Sequence, residues 1–137
     1  MDRAERSLHL ELPARPESVT EGRRAAAQLA VAVGADRPAV ELAVAEAVGN
    51  AVLHAYPEGP PGTVTIIARP DGPNLAIVIR DDGVGMRPDP TRAGLGFGLP
   101  LIAQVSTALA ITDAPTGGTE IRMRFPLDAQ ESARRKD

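Results

Sequence analysis

The chain predicts an α/β fold in two layers, a mixed and largely antiparallel sheet with about three helices on one face. Three observations carry that prediction. The predicted elements run β-α-α-β-β-α-β-β along the sequence. Two pairs of consecutive strands are separated only by short turns, which makes them antiparallel neighbours. The whole chain is 137 residues, the size of one ordinary domain.

The first strand is read from Ser7 to Leu12, where Leu8, Leu10 and Leu12 alternate with Ser7, His9 and Glu11, the period of a half-buried strand. Pro13 and Pro16 end it. Glu17 to Val33 is rich in Ala and Arg and reads as a helix, with Gly34 placed to close it. Asp36 is an N-cap candidate for a second helix, with Pro38 in its first turn and Glu41 shortly after. That helix runs to about Ala55 and stops before Pro57; Glu58-Gly59-Pro60-Pro61-Gly62 must be a loop. Thr63–Ala68 and Leu75–Arg80 are strands joined through Asp71-Gly72-Pro73-Asn74. Between Asp81 and Gly98 stand glycines 83, 85, 94, 96 and 98 and prolines 88 and 90, too many for regular structure throughout. A third helix reaches about Val105, and Leu109–Asp113 and Thr119–Pro126 are the last strands, with a turn at Thr116-Gly117-Gly118. Residues 1–127 therefore form one domain, and the charged stretch 128–137 is expected to be disordered.

Apolar residues make up 43% of the chain but aromatics only 2%, so the core must be built from Ala, Val, Leu and Ile. The absence of cysteine excludes disulfides and thiolate metal sites and agrees with a cytoplasmic protein. A net charge of −3 with no basic cluster before the tail lacks the footprint of a direct nucleic-acid binder. No apolar run approaches the roughly 20 residues of a membrane span, and the charged N-terminus does not read as a secretory signal.

Four polar or glycine-rich constellations stand out. Glu46, Asn50 and His54 recur at i, i+4 and i+8 on the second helix and so share a face, while Val44, Val48, Ala51 and Val52 fill the others. Such a stripe on an arbitrary helix is more often solvated surface. Gly49, which costs about 1 kcal/mol relative to Ala in a helix interior, suggests that something approaches here closely. Asp81-Asp82-Gly83-Val84-Gly85-Met86 follows a strand directly; its carboxylate is placed to accept from an exocyclic amine such as adenine's, although alone such a sequence is more often a structural turn. Gly94-Leu95-Gly96-Phe97-Gly98-Leu99 precedes a helix, which offers bare amides to phosphate oxygens or is simply a glycine-rich loop. It is neither a Walker A loop nor the dinucleotide fingerprint. Gly117-Gly118-Thr119 opens the last strand and is, taken alone, a hairpin.

In order and spacing together, these four motifs resemble the Bergerat ATP-binding fold shared by gyrase, the heat-shock chaperone, sensor histidine kinases and mismatch-repair proteins. Glu46 to Tyr56, Glu-Ala-Val-Gly-Asn-Ala-Val-Leu-His-Ala-Tyr, looks like the corresponding helix of the bacterial anti-sigma-factor serine/threonine kinases. The resemblance covers roughly residues 5 to 127. It implies that Asn50 is the direct protein ligand of Mg²⁺, that Asp81 binds the adenine amine with Thr119 in support, and that Gly83 and Gly85 allow close backbone approach. Gly94, Gly96 and Gly98, with Leu99, would follow the phosphates of ATP. Arg87 to Ala93 would form a short lid carrying Arg92, and Glu46 would be the general base of phosphoryl transfer. His54, two turns from Glu46, is expected to pack or cap near the helix end. Pro100 departs from the pattern and requires the third helix to start near Leu99 or to kink.

What the resemblance implies is an ATP-dependent protein serine/threonine kinase that sequesters a sigma factor and phosphorylates an anti-anti-sigma partner, acting as a homodimer. Two alternatives stand beside it. One is a nucleotide-gated binding module without catalysis, in which Glu46 is idle. The other is the catalytic part of a sensor histidine kinase, disfavoured because no helix bearing a phosphoacceptor histidine precedes Glu17.

Overall fold

In the computed structural model, residues 6–54, 62–83, 98–115 and 117–127 are described. Eight elements follow the predicted order: β1 (Leu8–Pro13), α1 (Pro16–Val33), α2 (Arg37–His54), β2 (Thr63–Asp71), β3 (Asn74–Asp81), α3 (Gly98–Val105), β4 (Ala108–Asp113) and β5 (Thr119–Pro126). The sheet is ordered β1-β2-β3-β5-β4. The expectation of a mixed sheet resolves to antiparallel pairing at all four junctions. The crossover carrying α3 inserts β5 beside β3 and leaves β4 at the edge.

Local chemistry explains the boundaries. Pro16 opens α1 behind an extended Arg15, where the missing N–H of proline costs nothing, and the Ser18 hydroxyl donates to the Pro13 carbonyl, tying the helix start to the end of β1. Gly34 closes α1 at φ 85°, with its N–H donated to the Ala30 carbonyl, a left-handed cap that glycine adopts without a Cβ penalty. Asp36 caps α2 through Oδ1, which accepts from the Ala39 amide at 3.2 Å. Glu41 pairs with Arg37 one turn back at 2.7 Å. α3 begins at Gly98, so Pro100 falls within its first turn and interrupts no established helical bond.

One face of the sheet carries the core. Val64, Ile66 and Ala68 of β2, Leu75, Ile77 and Ile79 of β3, and Ile121, Met123 and Phe125 of β5 are buried at every second position. Against them lie Ala26, Ala30 and Val33 of α1, Val40, Val44, Ala47 and Val48 of α2, and Ile102 of α3. Small side chains on the helices let them approach closely. A Cβ on Gly22 of α1 would stand 2.7 Å from Ile66 Cδ1, so the glycine marks the contact between helix and sheet. α2 lies between α1 and α3 and touches both, which explains why so much of its circumference is apolar. None of the described helices is long and apolar enough to cross a membrane.

Candidate functional site

Asp81 is the last residue of β3 and is 7% exposed. Its Oδ1 accepts the Gly83 amide at 3.0 Å and the Thr119 amide at 3.3 Å. Asp81 and Thr119, predicted to cooperate, are therefore in contact, and Thr119 meets the carboxylate through its backbone. The paired ladder of β3 and β5 ends at Arg80↔Glu120, and the Asp81 side chain takes the next amide along β5. Burial pushes the Asp81 carboxyl above its ordinary range; the two amides oppose that shift and the neighbouring Asp82 charge adds to it. A carboxylate held at a strand end with one oxygen fixed by backbone amides can present its other oxygen to an amine.

Gly118 makes this arrangement possible. It sits at φ 84°, and a Cβ there would meet the Asp81 carbonyl oxygen at 2.1 Å and Oδ1 at 2.7 Å. The sequence marks the position only as one of two consecutive glycines at a turn. Asp82 Oδ1 accepts the Thr63 amide at 3.0 Å, which ties the strand end to the start of β2.

Glu46 and Asn50 are both half-buried on α2, one turn apart, between buried Ala43, Ala47 and Ala51. The polar face expected at i and i+4 is thus neither sealed in the core nor fully solvated. Beyond its own stretch of α2, no described atom lies within 4 Å of where a Cβ on Gly49 would stand, so the close approach expected there is not made by another described part of the protein. α3, the helix that the glycine loop opens, packs beside α2. Gly98 and Leu99 form its first residues. Gly85, Gly94, Gly96 and the expected lid from Arg87 to Ala93 with Arg92 lie outside the described residues, as do the His54 side chain and the tail 128–137.

Sequence reasoning passed over one further cluster. Glu120, 2% exposed, lies directly opposite Arg80 on the sheet face away from the helices. Its Oε1 accepts from Arg80 Nε at 3.0 Å and Nη2 at 2.7 Å, and its Oε2 from Arg122 Nε at 2.6 Å. The hydrogen-bonded Arg80 guanidinium holds the Glu120 carboxyl below its ordinary range. Arg122 shares the face of Glu120 by the two-residue period of β5, but only the register brings Arg80 across to it.

Sheet order, helix placement and the glycine-bounded acidic strand end define a class. Residues 12–125 match the histidine kinase-like ATPase domain, and the chain belongs to that family. Within it the chain is similar to the anti-sigma F factor of Shouchella clausii, 30% identical over 101 residues that cover 64% of this chain and 68% of the relative. The anti-sigma F factor of Clostridium novyi is 30% identical over 105 residues, 67% of this chain and 72% of the relative. The sensor histidine kinase PdtaS of Mycolicibacterium smegmatis is 34% identical over 101 residues, but these make up only 20% of that kinase. Among solved structures, the RsbU and RsbW domains of a Mycobacterium tuberculosis protein superpose with a TM-score of 0.69 at 23% identity, over 89% of this chain and 32% of that one. That likeness shows the shared fold.

Proposed function

We propose that this chain is an anti-sigma regulatory factor that binds Mg-ATP and transfers its γ-phosphoryl group to a serine or threonine hydroxyl of an anti-anti-sigma partner. The observation that carries the reading is the buried Asp81 carboxylate at the end of β3, braced by the Gly83 and Thr119 amides and given room by Gly118. Membership of the histidine kinase-like ATPase family supports ATP as its ligand. The anti-sigma F factor relatives support a sigma factor and its antagonist as partners; that the chain acts as a cytoplasmic homodimer is part of the proposal.

In this reading Asp81 accepts the adenine amine, and the glycines 83, 85, 94, 96 and 98, with Leu99, line the nucleotide and its phosphates. Asn50 offers a single amide oxygen, a hard donor suited to Mg²⁺, which takes most of its ligands from phosphates and water. Bound there, the ion supplies neutralisation of phosphate charge. Glu46, one turn away, accepts the proton of the attacking hydroxyl as the new P–O bond forms and ADP departs.

Calorimetric titration of Mg-ATP into the native protein and the Asn50→Ala and Asp81→Asn variants tests the site; both variants should bind more weakly. Glu46→Gln should keep ATP and lose phosphoryl transfer to the partner. Unchanged transfer would remove Glu46 from catalysis, and a native protein that binds no Mg-ATP would overturn the reading.

A further inference from the structure

We infer that Glu120, clamped between Arg80 and Arg122 on the solvent side of the sheet, is a positioning residue for the nucleobase contact made by Asp81 on the other side. The inference rests on the reading of Asp81 given above. Side chains alternate along a strand, so Arg80 and Glu120 point away from the helices while Asp81 and Thr119, their immediate neighbours, point toward them. Arg80↔Glu120 is the last registered pair of the β3–β5 ladder. Beyond it the strands are joined through the Asp81 carboxylate and the Thr119 amide at 3.3 Å. The spacing of the two strands at that point therefore sets the direction of the Asp81 carboxyl, and the ion cluster sits where that spacing is decided.

The cluster is built more tightly than a surface pair. The Glu120 side chain is only 3% exposed, whereas its partners Arg80 and Arg122 are 36% and 64% exposed. Burying a carboxylate is costly unless its oxygens are satisfied, and here three guanidinium bonds satisfy them. A contrast lies near the other end of β5, where the partner is the last residue of β2. Arg124 of β5 pairs with Asp71 at 2.7 Å, with side chains 43% and 53% exposed. That pair is an ordinary solvated contact remote from Asp81.

The test measures the ratio of ATP to GTP affinity, because guanine carries an oxygen where adenine carries the amine that Asp81 would hold. Native protein and the Asp81→Asn, Glu120→Gln and Asp71→Asn variants are titrated with both nucleotides and melted in parallel. A hydrogen bond to a charged group is worth enough that loosening it should lower the ratio by about tenfold. Asp81→Asn should collapse the preference for ATP, Glu120→Gln should lower it by about that factor, and Asp71→Asn should leave it unchanged. If Glu120→Gln does not fold, the double change Arg80→Leu with Glu120→Leu removes the opposed charges together and is measured in its place. A ratio unaltered by the Glu120 change while Asp81→Asn abolishes it would overturn the positioning role and leave the base site standing. Equal weakening of ATP and GTP would likewise show a merely structural role. A ratio that Asp81→Asn does not alter would overturn the base-site reading, and the positioning role with it.

Discussion

Gly118 lies so close to Asp81 that a single added carbon would stand 2.1 Å from the aspartate's carbonyl oxygen. Gly118→Ala must therefore shift backbone as well as strain a φ of 84°, and we expect it to cost at least about 2 kcal/mol of stability. Gly117 shares the left-handed conformation, at φ 89°, but its Cβ position has no described atom within 4 Å. Gly117→Ala should cost only about 1 kcal/mol. Denaturant unfolding of the two variants measures the difference, and nucleotide binding should suffer in the Gly118 variant alone.

Asp81 should trade stability for binding. Burial raises its carboxyl above the ordinary aspartate range, so the native state holds that proton more tightly than the unfolded chain does. Stability from this group is greatest below the unfolded pKa and falls as pH rises through the folded pKa. Asp81→Asn, neutral throughout, should melt higher than the native protein at neutral pH, and the gap should close on acidification. ATP needs the ionised form, so its affinity should decline on acidification from a higher pH than an ordinary aspartate would impose. Melting curves and titrations across pH 4–8 measure both, a window spanning about the ordinary carboxylate and imidazole ranges.

The contact between Gly22 and Ile66 predicts a coupling. Gly22→Ala gains helix propensity but drives its methyl to 2.7 Å from Ile66 Cδ1, for a net loss of about 1 kcal/mol. Ile66→Val removes that terminal carbon and alone should cost about 1 kcal/mol. The double variant should be no less stable than Ile66→Val by itself, because the new methyl occupies the vacated space; a double-mutant cycle in denaturant reads the coupling.

Gly49 makes the opposite prediction. With no described atom near its Cβ position beyond its own stretch of α2, Gly49→Ala should stabilise the free protein by about 1 kcal/mol. Weaker ATP binding in the more stable variant would show that the space serves the ligand; unchanged binding would show that the glycine serves no nucleotide contact.

Much of the architecture is legible before folding, because it depends on short-range periodicity. Alternating leucines mark β1, Gly34 and Asp36 separate the two long helices, and Asp71-Gly72-Pro73-Asn74 joins β2 to β3. Glu46 and Asn50 share a helix face by spacing alone, and the pairing of Asp81 with Thr119 is legible through the order of the motifs. Other features depend on residues far apart in the chain meeting at one place. Neither the uniformly antiparallel order nor the insertion of β5 beside β3 follows from local pattern, since the crossover through α3 permits more than one placement. The need for Gly118 arises from the Asp81 backbone, that for Gly22 from the end of Ile66, and the burial of Glu120 from the strand register that brings Arg80 across from it. Periodicity acts over a few residues and is written in the chain; steric exclusion and charge pairing across strands act over a few ångströms, and only the folded sheet sets which residues those ångströms contain.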